Sequence, residues 1–294
     1  MSNFKKQVCL AYLLWAILSW VFIPSATADQ KYERIVSLAP SITESLYFLD
    51  SIDFVVGVTD YDTFPPEVSK IQSVGGNINP SLEKILNLKP DLVIGEKIFH
   101  HDLLKRLRTF NIDTLELTLH HRLNDVREAF FTIAAKIDKT MKATEVWEEI
   151  EKGLEERKLL ALKNHKKPVS MLVVVWHDPL IVAGGWSYIS DIMESLGITN
   201  TAGSKRFSFP VMSKEELLSF NPDVIFLVQA SKGMSITARD FISIMGDLPI
   251  KAKNGGIVSF EAEVLLHPGP RVLESADMLI KALNRASKEE RSLR

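Results

Sequence analysis

The 294-residue chain has one cysteine, Cys9, which lies inside an apolar N-terminal run. With that run set aside, neither a disulfide nor thiol chemistry is open to the protein. Beyond residue 28 no apolar stretch reaches the length of a membrane span. No cluster of lysines and arginines stands out, which argues against a nucleic-acid partner. The phosphate-binding patterns GxxxxGKS/T and GxGxxG are missing, and so are GxSxG and HExxH, so no motif declares an enzyme.

What is present begins with "MSNFKKQ", a short basic start, followed by the apolar run Val8–Ile23 of 16 residues and then "PSATA". This order predicts a secretory signal peptide over residues 1–28, cleaved before Asp29. An uncleaved anchor is the alternative, although 16 residues is short for a span. Cys9 precedes most of the apolar run, a poor place for lipidation at a cleavage site, so a soluble periplasmic protein is expected. From Asp29 onward the chain holds 33 basic and 37 acidic residues, a net charge of −4.

From Arg34 to Thr118 short apolar runs alternate with amphipathic stretches. "RIVSL" (34–38), "FVVGV" (54–58), "DLVIG" (91–95) and "DTLEL" (113–117) read as strands. "SITESLYFL" (41–49), "SLEKILNL" (81–88) and "HDLLKRLRTF" (101–110) read as helices, with apolar residues at three- and four-residue spacing. The alternation restarts after residue 168, with strands at 169–175, 180–184, 223–228 and 256–260 and helices at 187–197, 213–220 and 270–283. The pattern predicts an α/β protein of two Rossmann-like lobes with parallel sheets. Between them, Asn124–Lys167 has no proline and one glycine, Gly153. A helix of about 24 residues from Lys139 would be near 36 Å long. The expected division is an N-terminal lobe over 29–138, a connecting helix over 139–166 and a C-terminal lobe over 167–294.

One unit is written twice. "NPSLEKILNLKPDLVIG" from Asn79 returns 132 positions later as "SKEELLSFNPDVIFLV" from Ser213. Ser81 matches Ser213, Glu83 matches Glu215, and Pro90-Asp91 matches Pro222-Asp223. Serine is a good N-cap, and an acid in the first turn meets the positive end of the helix dipole. Helix capping alone therefore accounts for both glutamates; Ser213 with Glu216 has capping-box spacing as well. The other reading places one acid on each lobe for a quasi-symmetric partner.

The segments "RIVSLAPSITESLYFL", "VVGVTDYDTFPPEVSKI", "VGGNINPSLEKILNLKPDLVI", "PLIVAGGWSYISDIMESLGITN" and "HPGPRVLESADMLIKAL" occur in one order over residues 33 to 284. This succession resembles the periplasmic substrate-binding proteins of the iron-siderophore, haem and vitamin B12 importers, and within them is most similar to the cobalamin-binding branch. The resemblance implies a ligand cleft between two lobes, slight closure on binding and no intrinsic cofactor. It also implies a monomer that delivers its ligand to an ABC permease dimer in the inner membrane. In the B12-importer relatives a glutamate in the matching helix of each lobe docks on permease arginines. Carried over, these are Glu83 and Glu215.

In open parallel sheets, ligands sit beyond the carboxyl ends of the strands. That rule selects Tyr61 and Phe64 after the second strand, and Gly76 and Asn77 in "VGGNIN". In the second lobe it selects Trp176, His177 and Phe209, then Glu263 and His267 in "FEAEVLLHPGPR". An aromatic cleft with few charges suits a large, flat ligand such as a corrinoid. Ordinary core packing is the competing reading for Tyr61, Trp176 and Phe209. Tyr61 falls where B12 binders place a cleft tyrosine. The chain departs from the best-known B12 binder at Asn77, where that protein carries a tryptophan. His100-His101 and His120-His121 lie near the predicted mouth and, with His177 and His267, leave haem or a metal open as the ligand. A ferric siderophore is the further alternative. Two lobes around a cleft also describe exported enzymes.

Overall fold

A computed structural model describes residues 31–118, 122–164, 168–230 and 235–292. The expected signal segment with Cys9, and His120-His121, lie outside the described residues. Tyr32–Arg294 forms one compact unit, and among the described residues no helix is long and apolar enough to cross a membrane.

The first lobe alternates as its hydrophobic pattern requires. Strand β1 (Ile35–Ser37) leads into helix α1 (Pro40–Phe48), and β2 (Val55–Val58) is followed by β3 (Gln72–Ser73). Helix α2 (Leu82–Asn87) precedes β4 (Leu92–Glu96), α3 (Lys97–Arg108), β5 (Asp113–Leu117) and α4 (Leu123–Lys136). The sheet order is β3-β2-β1-β4-β5 and every pairing is parallel.

Helix α5 (Thr140–Asn164) then runs 25 residues. It starts within a residue of the expected Lys139, and Asp138, at φ 59°, turns the chain between α4 and α5.

In the second lobe, β6 (Ser170–His177), β7 (Leu180–Val182), α6 (Tyr188–Ser195), β8 (Thr199–Asn200), α7 (Lys214–Phe220), β9 (Val224–Gln229), α8 (Ala238–Met245), β10 (Ile257–Glu261) and α9 (Val272–Ser292) follow. The order is β10-β9-β6-β7, with β8 beside β6. One expectation is corrected here: β7 runs antiparallel to β6. Only Asp178 and Pro179 separate the two strands, and a connection that short can form only a hairpin.

Among the described residues, three apolar clusters build the core. One covers the outer face of the first sheet, around Val36, Val93 and Leu104, and a second covers the outer face of the second sheet, around Leu172, Leu227 and Phe241. The third is shared by the lobes. It runs from Ile42, Leu46 and Phe130 through Trp147 and Ile150 of α5 to Ile189, Leu279 and Leu283. The connecting helix is therefore packed inside the structure along one face, with Ala143, Val146, Trp147, Ile150 and Leu154 buried at helical spacing.

The written repeat is also a structural repeat. Asp91 accepts the N–H groups of Glu33 (2.7 Å) and Arg34 (3.0 Å) where β1 begins. Asp223 accepts the N–H of Ser170 (3.0 Å) and its hydroxyl (2.7 Å) where β6 begins. The residue before each proline, Lys89 and Asn221, takes a left-handed conformation, φ 48° and 43°. Each unit thus turns out of a short helix the same way and ties its new strand to the first strand of its lobe.

Candidate functional site

Tyr61 and Phe64 follow β2, Gly76 and Asn77 follow β3, and Glu263 and His267 follow β10, whereas Trp176 and His177 are the last two residues of β6 and Phe209 lies beside β7. After β2, Asp62 accepts from the N–H (2.8 Å) and hydroxyl (2.6 Å) of Thr59, which tightens the turn that carries Tyr61. Burial raises the Asp62 carboxyl above the usual range, although the Thr43 and Thr59 hydroxyls oppose the shift. Tyr61 is 45% exposed, Trp176 39% and Phe209 47%. None of the three is a core side chain. Gly76 lies beside Tyr61: a Cβ there would stand 3.9 Å from the Tyr61 ring and 2.6 Å from Asn79 Oδ1.

Asn77 is held from behind. His100 Nδ1 accepts the Glu96 N–H at 2.9 Å, so its Nε2–H donates to the Asn77 carbonyl at 2.5 Å. His100 is fully buried, and burial lowers its pKa, against the Asn77 carbonyl, which favours the charged ring. Both ring nitrogens are committed, so His100 is no haem or metal ligand but a brace for the Gly75–Asn77 loop. The Asn77 side-chain Oδ1 is buried and meets no hydrogen-bond partner. His101 faces away from that brace and pairs with Glu116 at 2.9 Å. Among the described residues no group of three or more His, Cys, Asp or Glu side chains is arranged to hold a metal ion.

In the second lobe, Trp176 is the penultimate residue of β6, and its Nε1–H donates to the Asp178 carbonyl at 2.8 Å. His177 follows it, with Nδ1 buried and without a hydrogen-bond partner. Beside β7 the backbone of 207–212 adds a further row: Val182 N–H reaches the Pro210 carbonyl and Met212 N–H the Leu180 carbonyl. Trp176 pairs with Ile181 of β7, and Ile181 with Val211, so Phe209 belongs to the row on the far side of β7 from Trp176. Gly184 and Gly185 permit close backbone approach here, since a Cβ on either would stand 2.2 Å from the Phe207 carbonyl oxygen or 2.0 Å from that of Gly203. Trp186 and Phe207 add exposed aromatic surface here, and a cavity of about 580 Å³ is lined by Arg206, Phe207, Phe209 and Val211.

The two sets of loops meet at Phe64. The Arg271 guanidinium lies 4.1 Å over the Phe64 ring, a cation–π contact, and Tyr47 meets the same ring edge-on at 5.2 Å. Arg271 also reaches Glu44 at 3.3 Å, and His267 Nδ1 stands 3.7 Å from the same carboxylate oxygen. Glu263 lies half-buried in the turn just before His267. Sequence reasoning selected Phe64 and His267 but not Glu44 or Arg271. The signal was their place in "PSITE" and "HPGPR", both among the segments that carry the resemblance.

Glu83 and Glu215 are both exposed in the first turns of α2 and α7. Ser81 accepts the Lys84 N–H at 3.3 Å. Ser213 and Glu216 form the expected capping box, which leaves Glu215 outward. The Glu215 pKa is lowered, first by backbone N–H donation at the helix start and then by Ser213.

With this geometry in place, comparison with known proteins gives one consistent answer. Residues 35–242 match the periplasmic binding protein family, and the chain belongs to that family. It is a binding protein of transport, not an enzyme. It is 27% identical over 263 residues to an uncharacterized ABC transporter substrate-binding lipoprotein, YvrC of Bacillus subtilis, covering 87% of this chain and 82% of that one. It is 25% identical over 261 residues to the vitamin B12-binding protein of Vibrio cholerae, covering 87% and 91%. Among solved structures, the periplasmic heme-binding protein RhuT from Roseiflexus superposes with a TM-score of 0.74 at 25% identity, over 87% of this chain and 99% of that one.

Proposed function

We propose that this chain is the extracytoplasmic substrate-binding component of an ABC importer and that it carries cobalamin or a related corrinoid. The observation that carries the ligand is the exposed aromatic set of Tyr61 after β2, Trp176 near the end of β6, and Phe209 beside β7. Aromatic side chains left in solvent lose the burial they would gain elsewhere, and a flat macrocycle supplies it. The relation to B12-binding proteins over most of the chain supports the same ligand. Phe64, Gly76, Asn77, His177, Glu263 and His267 complete the proposed lining. Glu83 and Glu215 are the proposed docking groups for a permease dimer. The segment 1–28 is the proposed export signal, which would leave a monomeric protein in the periplasm, arranged as the three segments expected above.

Haem is the second reading, and one observation favours it. His177 stands between Trp176 and the hairpin turn with an imidazole nitrogen that meets no protein partner, and imidazole is a good axial ligand for iron. A spectral panel separates the two. The chain from Asp29 is mixed in turn with cyanocobalamin, haemin and a ferric siderophore, and tryptophan quenching and visible spectra are followed. A corrinoid carrier gives saturable quenching with cobalamin only. A shifted Soret band with haemin, and no response to cobalamin, transfers the assignment to haem.

A further inference from the structure

The lobes are joined by two arginine–acid ties that are copies of each other. Arg122 immediately precedes α4 and Arg271 immediately precedes α9. Each has an acid three residues on, Asp125 and Glu274. Their cross-lobe partners correspond as well. Glu44 in "PSITES" and Asp191 in "SYISDI" sit at matched places in the first helix after each lobe's opening strands, and Leu49 and Leu196 each follow five positions later. So an arginine of the first lobe holds an acid of the second, and an arginine of the second holds an acid of the first.

The copies are not equally satisfied. Asp191 accepts from Arg122 Nε at 2.9 and 2.8 Å and from the Leu123 N–H at 2.8 Å, and Arg122 Nη2 stands at 2.5 Å. Glu44 is 1% exposed, yet it has one arginine contact at 3.3 Å, while Arg271 gives its shorter bonds, 3.0 and 2.6 Å, to Glu274. Glu44 Oε2 is buried with no hydrogen-bond partner, facing Gly269, where a Cβ would stand 3.1 Å away. A buried carboxylate held this thinly is costly unless its geometry is needed. Its contacts are with the residues that close the proposed cleft: Arg271 over Phe64, His267, and the 267–271 backbone.

We propose that Glu44 is a positioning residue for ligand binding, which sets the 263–271 rim and Phe64 at the spacing the ligand requires, while Arg122–Asp191 is a fixed pin that serves the scaffold alone. The inference rests on the cleft reading given above.

The test compares Glu44→Gln and Arg271→Lys with Asp191→Asn. Because the chain from Asp29 has no cysteine, Lys105→Cys and Arg239→Cys give clean spin-label sites, one on each lobe. Glu44→Gln is expected to raise the cobalamin Kd about tenfold and to broaden the ligand-free inter-lobe distance distribution. Arg271→Lys, which keeps the charge, should do the same to a smaller degree and covers the case in which Glu44→Gln does not fold. Asp191→Asn should lower Tm and leave Kd within about twofold. A protein that binds neither cobalamin nor haemin defeats the cleft reading, while the distance distributions still decide the role of Glu44. Unchanged Kd and distances in both Glu44→Gln and Arg271→Lys overturn the inference, as does an Asp191→Asn effect on Kd equal to that of Glu44→Gln.

Discussion

Leu273 of α9 occupies the space that a side chain on Gly153 of α5 would need: a Cβ built there would stand 2.7 Å from Leu273 Cδ1. One turn along, Arg157 Nε and Nη2 donate to Asp277 at 2.7 and 2.8 Å. The lone glycine of the connecting helix is thus the point where α9 crosses it, not a hinge. Gly153→Leu should cost about 1–3 kcal/mol by overpacking, measured by urea unfolding. Gly153→Ala should be close to neutral, because helix propensity gains about 1 kcal/mol against a movable leucine. An unchanged midpoint for Gly153→Leu would mean the crossing is looser than described.

The shared apolar cluster across α1, α5, α6 and α9 makes large opening expensive, since it would expose that cluster to water. Small-angle scattering with and without ligand should show a change in radius of gyration of under about 1 Å, as expected when the interface is packed rather than hinged. A clamshell-sized contraction would contradict this.

His100 predicts a pH dependence. Its folded-state pKa lies below the ordinary value of 6.5, chiefly through burial. The unfolded chain therefore takes up a proton first as pH falls, and the folded state loses stability below about pH 6.5, by at most about 1.4 kcal/mol per pH unit. Above that pH the ring is neutral in both states and contributes no slope. The buried Glu96 carboxyl, raised by desolvation, acts in the opposite direction and is present in both proteins compared. Relative to His100→Gln, the wild type should lose stability between pH 7 and pH 5. Parallel curves would show that His100 does not titrate in the folded protein as described.

If Glu83 and Glu215 dock on a permease, Glu83→Lys/Glu215→Lys should leave cobalamin affinity intact. Permease binding and uptake should fall sharply, because opposed charges would then repel. Glu155→Lys on the connecting helix is the control reversal. Wild-type uptake in both proteins would leave helix capping as the whole explanation for the repeated acid.

Much of the fold could be read from the chain. Alternating apolar runs gave two lobes, and the repeated Pro-Asp pair gave a repeated turn whose purpose, tying Asp91 and Asp223 to opening strands, needed coordinates. The antiparallel β7 was missed because its apolar residues match those of a buried parallel strand, and only the two-residue Asp178-Pro179 link betrayed it. The end of α9 was read short, since Arg285–Ser292 has little apolar period. Glu44 was not selected as a site residue, because an acid in an amphipathic helix reads as a solvated face. Its partners His267 and Arg271 are more than two hundred residues away, a distance no local pattern spans. The ligand class came from the resemblance, not from periodicity or spacing.

The most direct test of the corrinoid assignment is calorimetric titration of cyanocobalamin into the chain from Asp29, beside Tyr61→Ala and Trp176→Ala. The account predicts one site per chain in the wild type and a loss of about 1–3 kcal/mol, roughly tenfold to a hundredfold in Kd, for each aromatic removed. No heat with cobalamin, together with one-to-one haemin binding that His177→Ala abolishes, would contradict it.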